Sequence, residues 1–203
     1  MKTQEQNLEV VEQIISFTEQ LINFWKNSKG WAPDEAFEIL DKSQLELHLE
    51  ITKELKIFIL ANDANKSDGL LVIAWTTLGS LVEGLLKLFL CVYYKDYSKD
   101  PSSIKKSNGT TIPPDELMLE KLKNFYSNKI FDESIRKIWK ETGGFDWIKW
   151  INKIQQRRNS IHSFKKREIG TFQEYFEDLK NYQKFLKVIN NMLPYPDEKY
   201  RPN

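Results

Sequence analysis

Leu70 to Tyr94 read LLVIAWTTLGSLVEGLLKLFLCVYY, a stretch of about 25 residues that is long enough to cross a bilayer. Its interruptions argue against lipid. Thr76, Ser80, Glu83 and Lys87 follow one another at steps of four, three and four. On a helix that turns about 100° per residue they make one continuous polar stripe. The stretch is therefore predicted as the central buried helix of an all-α protein, and no membrane is expected as a partner. Glu83 has apolar residues nearly all round it, and such a carboxylate must be paired, hydrated or functional. Two readings stand side by side: an intrahelical pair with Lys87 at i, i+4, or a role in a site. Cys91, the single cysteine, lies in the same run. It lacks a partner for a disulfide or a zinc site and reads as core.

Outward from this helix the apolar spacing stays helical. Thr3 with Gln6 has capping-box spacing, and Leu8, Val11, Ile15, Ile22 and Trp25 mark a first helix that Asn27, Ser28 and Gly30 end. Pro33 and Asp34 restart a short helix through Leu40, and Ser43 with Glu46 offers a second capping box. Residues 45 to 51, LELHLEI, alternate like a strand, but Leu55, Phe58 and Ile59 continue at helical spacing and no partner strand is visible, so a helix is predicted. His48, between leucines and glutamates, is expected to face solvent. Residues 98 to 115, SKDPSSIKKSNGTTIPPD, hold three of the seven prolines and read as one long exposed loop. Short helices are predicted from Glu116 to Tyr126 and from Glu133 to Lys140, the second stopped by Gly143 and Gly144. Gly170 precedes a third capping box, Thr171 with Glu174. Phe172, Phe176, Leu179, Tyr182, Leu186 and Ile189 then mark the last long helix, and the tail PYPDEKYRPN reads as irregular.

The chain has 203 residues, 40% hydrophobic and 29% charged, which suits one domain over residues 1–203. A formal net charge of +1 offers no global field for nucleic acid, so any such contact must be a local patch. The N-terminus, MKTQEQNLEV, lacks the order of a signal peptide, and a reducing cytoplasm is expected. No glycine-rich phosphate loop, Cys/His set or Ser/His/Asp motif is present, so neither a metal nor a cofactor is expected.

The chemistry concentrates in residues 145 to 164, FDWIKWINKIQQRRNSIHSF, predicted as one buried helix from Trp147, Trp150, Ile151, Ile154 and Ile161. Near its end Arg157, Arg158, Asn159 and His162 fall within six residues. If the helix continues, Arg158 and His162 lie about 40° apart and Arg157 and His162 about 140° apart. Arg158 also follows Trp147, Ile151 and Ile154, so its stem should leave the apolar stripe and place a guanidinium near the imidazole. A fixed cation, an amide and a titratable imidazole suit a phosphate ester, because arginine forks onto phosphate oxygens and histidine moves protons near neutral pH. The plainer reading is a basic helix end that interacts with its own last carbonyls.

RRNSIH at 157 to 162 and LGSLVEGLLKLFL at 78 to 90, in this order of helices, resemble the HEPN (higher eukaryotes and prokaryotes nucleotide-binding) superfamily over about residues 44 to 193. The resemblance implies an antiparallel four-helix bundle, here with extra short helices and one long loop, that commonly dimerises. Its catalytic members are metal-independent endoribonucleases whose motif is an arginine, four to six residues and a histidine. Arg157 meets that count with His162. The Asn, Asp or His that often follows the family's arginine stands here behind Arg158, as Asn159, with only three intervening residues. The resemblance thus implies either a toxin or defence ribonuclease, with Arg157, Arg158, Asn159, His162 and Glu83 as site residues, or a catalytically inactive dimer. RNA or a nucleotide, an antitoxin or another protein would be the partner.

Overall fold

Ser67 opens the central apolar helix, its hydroxyl accepting the Leu70 N–H at 3.2 Å, and Asp68 adds a negative charge to the first turn. The computed structural model describes residues 2–61, 65–128, 145–162 and 164–202. Its helices are α1 (Lys2–Lys26), α2 (Asp34–Lys42), α3 (Leu45–Lys53), α4 (Leu55–Leu60), α5 (Asp68–Val92), α6 (Tyr94–Lys99), α7 (Leu119–Asn128), α8 (Trp147–Arg158) and α9 (Phe172–Met192). Among the described residues there is no strand, and the fold is all-α as expected. The helix expected over Glu133 to Lys140, with its glycine stop, lies outside the described residues.

α5 sits at the centre, packed against α8 and α9 on one side and α2, α3 and α4 on another. It is long and apolar enough to cross a membrane, and here half of its most apolar window is buried inside the protein. Leu88 to Val92 are buried all round because α6, α7 and the turn at Pro114–Glu116 close over that end. The buried residues of α1 through α9 form one contiguous apolar cluster. Aromatic groups dominate it: the Trp75 ring meets Tyr175 edge-on at 5.2 Å, and its indole N–H donates to the Ile169 carbonyl at 2.7 Å. This bond fastens the segment between α8 and α9 to the central helix.

LELHLEI is helical, within α3; Leu45 and Thr52 are buried while Leu47 is half exposed, a pattern no strand face would give. His48 does not face solvent as expected. It is half-buried against Gly84 of α5, where a Cβ would overlap the imidazole, and burial pulls its pKa down to about 4. Of the expected capping boxes the one at Thr171/Glu174 forms, with both reciprocal bonds. Thr3 lies inside α1, which begins at Lys2. Ser43 donates instead to the Ile39 carbonyl at 2.7 Å, closing α2, and Glu46 pairs with Lys26 of α1. With only Ser43 and Gln44 between α2 and α3, the hydroxyl serves the helix before it rather than the one after.

The long loop starts later than expected, because α6 runs to Lys99, and it is pinned down. The Tyr97 hydroxyl donates to the Ile112 carbonyl at 3.0 Å and accepts the Ile104 N–H at 3.2 Å. The chain between folds back through Gly109 at φ +84, with one isolated bridge between Lys105 and Thr111. The tail is irregular apart from a turn at Glu198–Tyr200 but is also anchored: the Tyr195 hydroxyl donates to Asn190 Oδ1 at 2.6 Å and Arg201 stacks on the Tyr195 ring.

Sequence reasoning missed Asp178, a carboxylate with 1% exposure on the apolar face of α9. Its Oδ1 accepts the Trp150 indole N–H at 3.0 Å, and its Oδ2 faces Lys153 Nζ at 2.6 Å. The acid therefore ties α9 to α8. Asp178→Ala should lower stability by about 2–4 kcal/mol in denaturant melts, because it orphans a buried indole N–H and leaves Lys153 unpaired. A loss below about 0.5 kcal/mol would show that this bond does not hold the two helices.

Candidate functional site

Asp146 opens α8, its Oδ1 accepting the Lys149 N–H at 2.9 Å, and Trp147, Trp150, Ile151 and Ile154 face the core. The helix does not continue to 164 as expected. The Asn159 N–H closes on the Gln155 and Arg157 carbonyls, the chain tightens into a 3₁₀ turn over Asn159–Ile161, and His162 leaves it at φ −81, ψ 68. Asn and Ser compete for backbone bonds and favour such ends over helix interiors. His162 therefore does not stand one helical turn above Arg158, and the expected co-facial pair is not formed. The His162 residue is exposed, and its N–H bonds the Asn159 carbonyl at 3.2 Å, so Asn159 shapes the turn that presents the imidazole.

Arg158 does leave the apolar stripe, but toward α5. Its stem crosses that helix at Gly79, where a Cβ would lie 2.8–3.0 Å from Arg158 Cδ, Cβ and Cγ. Only glycine admits so close a crossing. One turn further along α5, Arg158 Nη1 meets Glu83 Oε2 at 2.8 Å. The same oxygen accepts the N–H of Leu119, the first residue of α7, at 3.1 Å, while Oε1 pairs with Lys87 Nζ at 2.9 Å. The intrahelical pair with Lys87 read from the sequence is present, and the same carboxylate also joins Arg158. The carboxylate is 15% exposed and the guanidinium 30%, so the rest of the arginine fork stays within reach of solvent.

Arg157 goes elsewhere. It is buried at 7% exposure, and its Nη2 reaches Glu168 at 3.2 Å and Glu174 at 3.5 Å. Glu174 is also the acid of the α9 capping box, so Arg157 locks the end of α8 to the start of α9. Gly170, at φ +70 with its Cα side facing the Arg157 guanidinium, permits the chain reversal between them. The arginine that satisfies the residue count to His162 is therefore engaged in fastening the end of α8 to the start of α9.

The surface around His162 carries groups that the overall charge concealed. Phe164 is fully exposed, Ile161 and Ile73 about half so, and Lys165, Lys166 and Arg167 follow directly. These three cations separate two open clefts. One of about 480 Å³ is lined by Lys153, Gln156 and Arg157, the other of about 530 Å³ by Val72, Ile73 and Ile161. The signal was legible as SFKKR, an aromatic followed by three cations. Among the described residues no group of three His, Cys, Asp or Glu side chains is placed to hold a metal ion.

An alanine in a helix interior normally gains about 1 kcal/mol over glycine. Gly79→Ala should instead destabilise the protein by about 1–3 kcal/mol in thermal melts, because its methyl displaces the Arg158 stem and the helices must part. A stabilised variant would contradict the crossing described here.

No family model, curated protein or solved structure matches this chain.

Proposed function

We propose that the chain is a HEPN-like antiparallel four-helix bundle, built on α1, α5, α8 and α9, that acts in the cytoplasm as a homodimeric, metal-independent endoribonuclease of the toxin or defence kind. The observation that carries this reading is the exposed His162 at the head of a surface bearing Phe164, Lys165, Lys166 and Arg167. Cations along such a surface follow phosphates, and an exposed aromatic ring gives an unstacked base a platform. In this reading His162 takes the proton of a ribose 2′-OH as that oxygen attacks the adjacent phosphorus. The P–O5′ bond breaks, the leaving oxygen is protonated, and a cyclic phosphate and a 5′-hydroxyl result. Arg158, oriented by Glu83, offers its remaining N–H groups to the charge that develops on the phosphate.

A second reading is favoured by a specific observation: both arginines are paired with carboxylates of their own chain, Arg158 with Glu83 and Arg157 with Glu168 and Glu174. A catalytically inactive dimer that binds an antitoxin, another protein or a nucleotide would have this arrangement.

The test is cleavage of single-stranded RNA in excess chelator, with the mass of the protein in solution measured alongside. The parent should be a dimer that cuts, and His162→Ala should lose about two to four powers of ten in rate. Its melting should stay within about 0.5 kcal/mol because the residue is exposed. Replacing Lys165, Lys166 and Arg167 together by Ala should weaken RNA binding and flatten its salt dependence. RNA bound but not cut supports the inactive module; RNA neither bound nor cut removes the nucleic-acid reading.

A further inference from the structure

On the side of α5 away from Arg158, a cavity of about 340 Å³ opens between α1, α2, α3 and α5. That volume lies within the range of small-molecule sites, about 300–1,000 Å³. Ile22, Leu40, Leu85 and Leu88 make its apolar wall, and nothing in the described chain fills it. Gly84 lacks the Cβ that would collide with His48, so the imidazole packs closely against α5 and forms part of the lining.

The polar groups of this cavity define its ligand. The Cys91 thiol, which burial pushes up to about 12, and the His48 imidazole, which burial pulls down to about 4, are both neutral at pH 7. The charges are Lys87, part-buried on α5, and Lys42 and Asp115 at the exposed rim. Asp115 offsets one lysine, and Lys87 already shares its charge with Glu83 Oε1 at 2.9 Å. The site can therefore balance a single negative charge on an otherwise apolar body, and a phosphate dianion would leave charge uncompensated. We propose that this cavity binds a small carboxylic acid with an apolar tail, its carboxylate on Lys87, and that the bound acid competes with Glu83 for that lysine. Because Glu83 also holds Arg158, an occupied cavity leaves the carboxylate to Arg158 and the Leu119 N–H alone. The cavity and the Arg158 pair are then linked through Lys87, and the linkage is reciprocal. This proposal stands whether or not the chain cuts RNA.

Sodium octanoate and 1-octanol, both below the concentrations at which octanoate forms micelles, are the probes. Each is titrated into the full chain by calorimetry, with the His48 ring resonances followed by NMR. Octanoate should shift the His48 signals and bind at least tenfold more tightly than octanol. In Lys87→Met that preference should vanish while octanol still binds, which shows the cavity intact. Glu83→Gln, which frees Lys87, should tighten octanoate by about threefold or more. The site is overturned if neither probe moves the His48 signals, if octanol binds the parent as well as octanoate does, or if Lys87→Met keeps the preference. Unchanged octanoate affinity in Glu83→Gln overturns the link to Arg158.

Discussion

A carboxylate set into the most apolar helix of a protein must be compensated, and the way Glu83 is compensated organises this structure. Arg158 of α8, Lys87 of α5 itself and the N–H that begins α7 converge on its two oxygens. Taking such a charge out of water costs several kcal/mol, which only good geometry offsets. The geometry here depends on Gly79: without its bare backbone, the Arg158 stem could not cross α5 one turn from the acid. One carboxylate thus joins the end of α8, the start of α7 and the middle of α5.

The two adjacent arginines show how one helix end serves two ends of the fold. Arg158 faces the central helix and leaves part of its fork open, whereas Arg157 faces α9 and is buried under Glu168 and Glu174. Beyond them the chain gives up helical geometry within three residues, and His162 emerges into solvent beside Phe164 and a run of cations. α5 in turn has a fastened side, toward Arg158, and a hollow side, toward His48, with Glu83 and Lys87 between them. Any ligand that holds Lys87 alters the electrostatics of Arg158 without touching it.

Much of the fold was legible from periodicity. The central helix, the polar stripe that Thr76, Ser80, Glu83 and Lys87 form along it, the helical reading of LELHLEI and the Thr171/Glu174 box all express local rules, and local rules suffice for them. The candidate site was legible only in part. The wheel that paired Arg158 with His162 assumed an unbroken helix, and the tighter 3₁₀ turn over Asn159–Ile161 ended it at Arg158. Which arginine is buried depends on Glu168, Glu174 and Gly170, which lie beyond the helix and act only once the chain has reversed. His48 looked solvent-facing because its neighbours in sequence are charged; its neighbour in space is a glycine of another helix. Asp178 went unnoticed because the partners that justify its burial, Trp150 and Lys153, stand on α8.

The tie between Glu83 and Arg158 can be measured directly by a double-mutant cycle with Glu83→Gln, Arg158→Met and the pair, each followed by denaturant unfolding. A charge-assisted bond between part-buried groups predicts a coupling energy of about 1.5–3 kcal/mol. Single-variant losses that add to within about 0.3 kcal/mol of the double variant would show that the two residues act independently. The interaction placed at the centre of this fold would then not exist in solution.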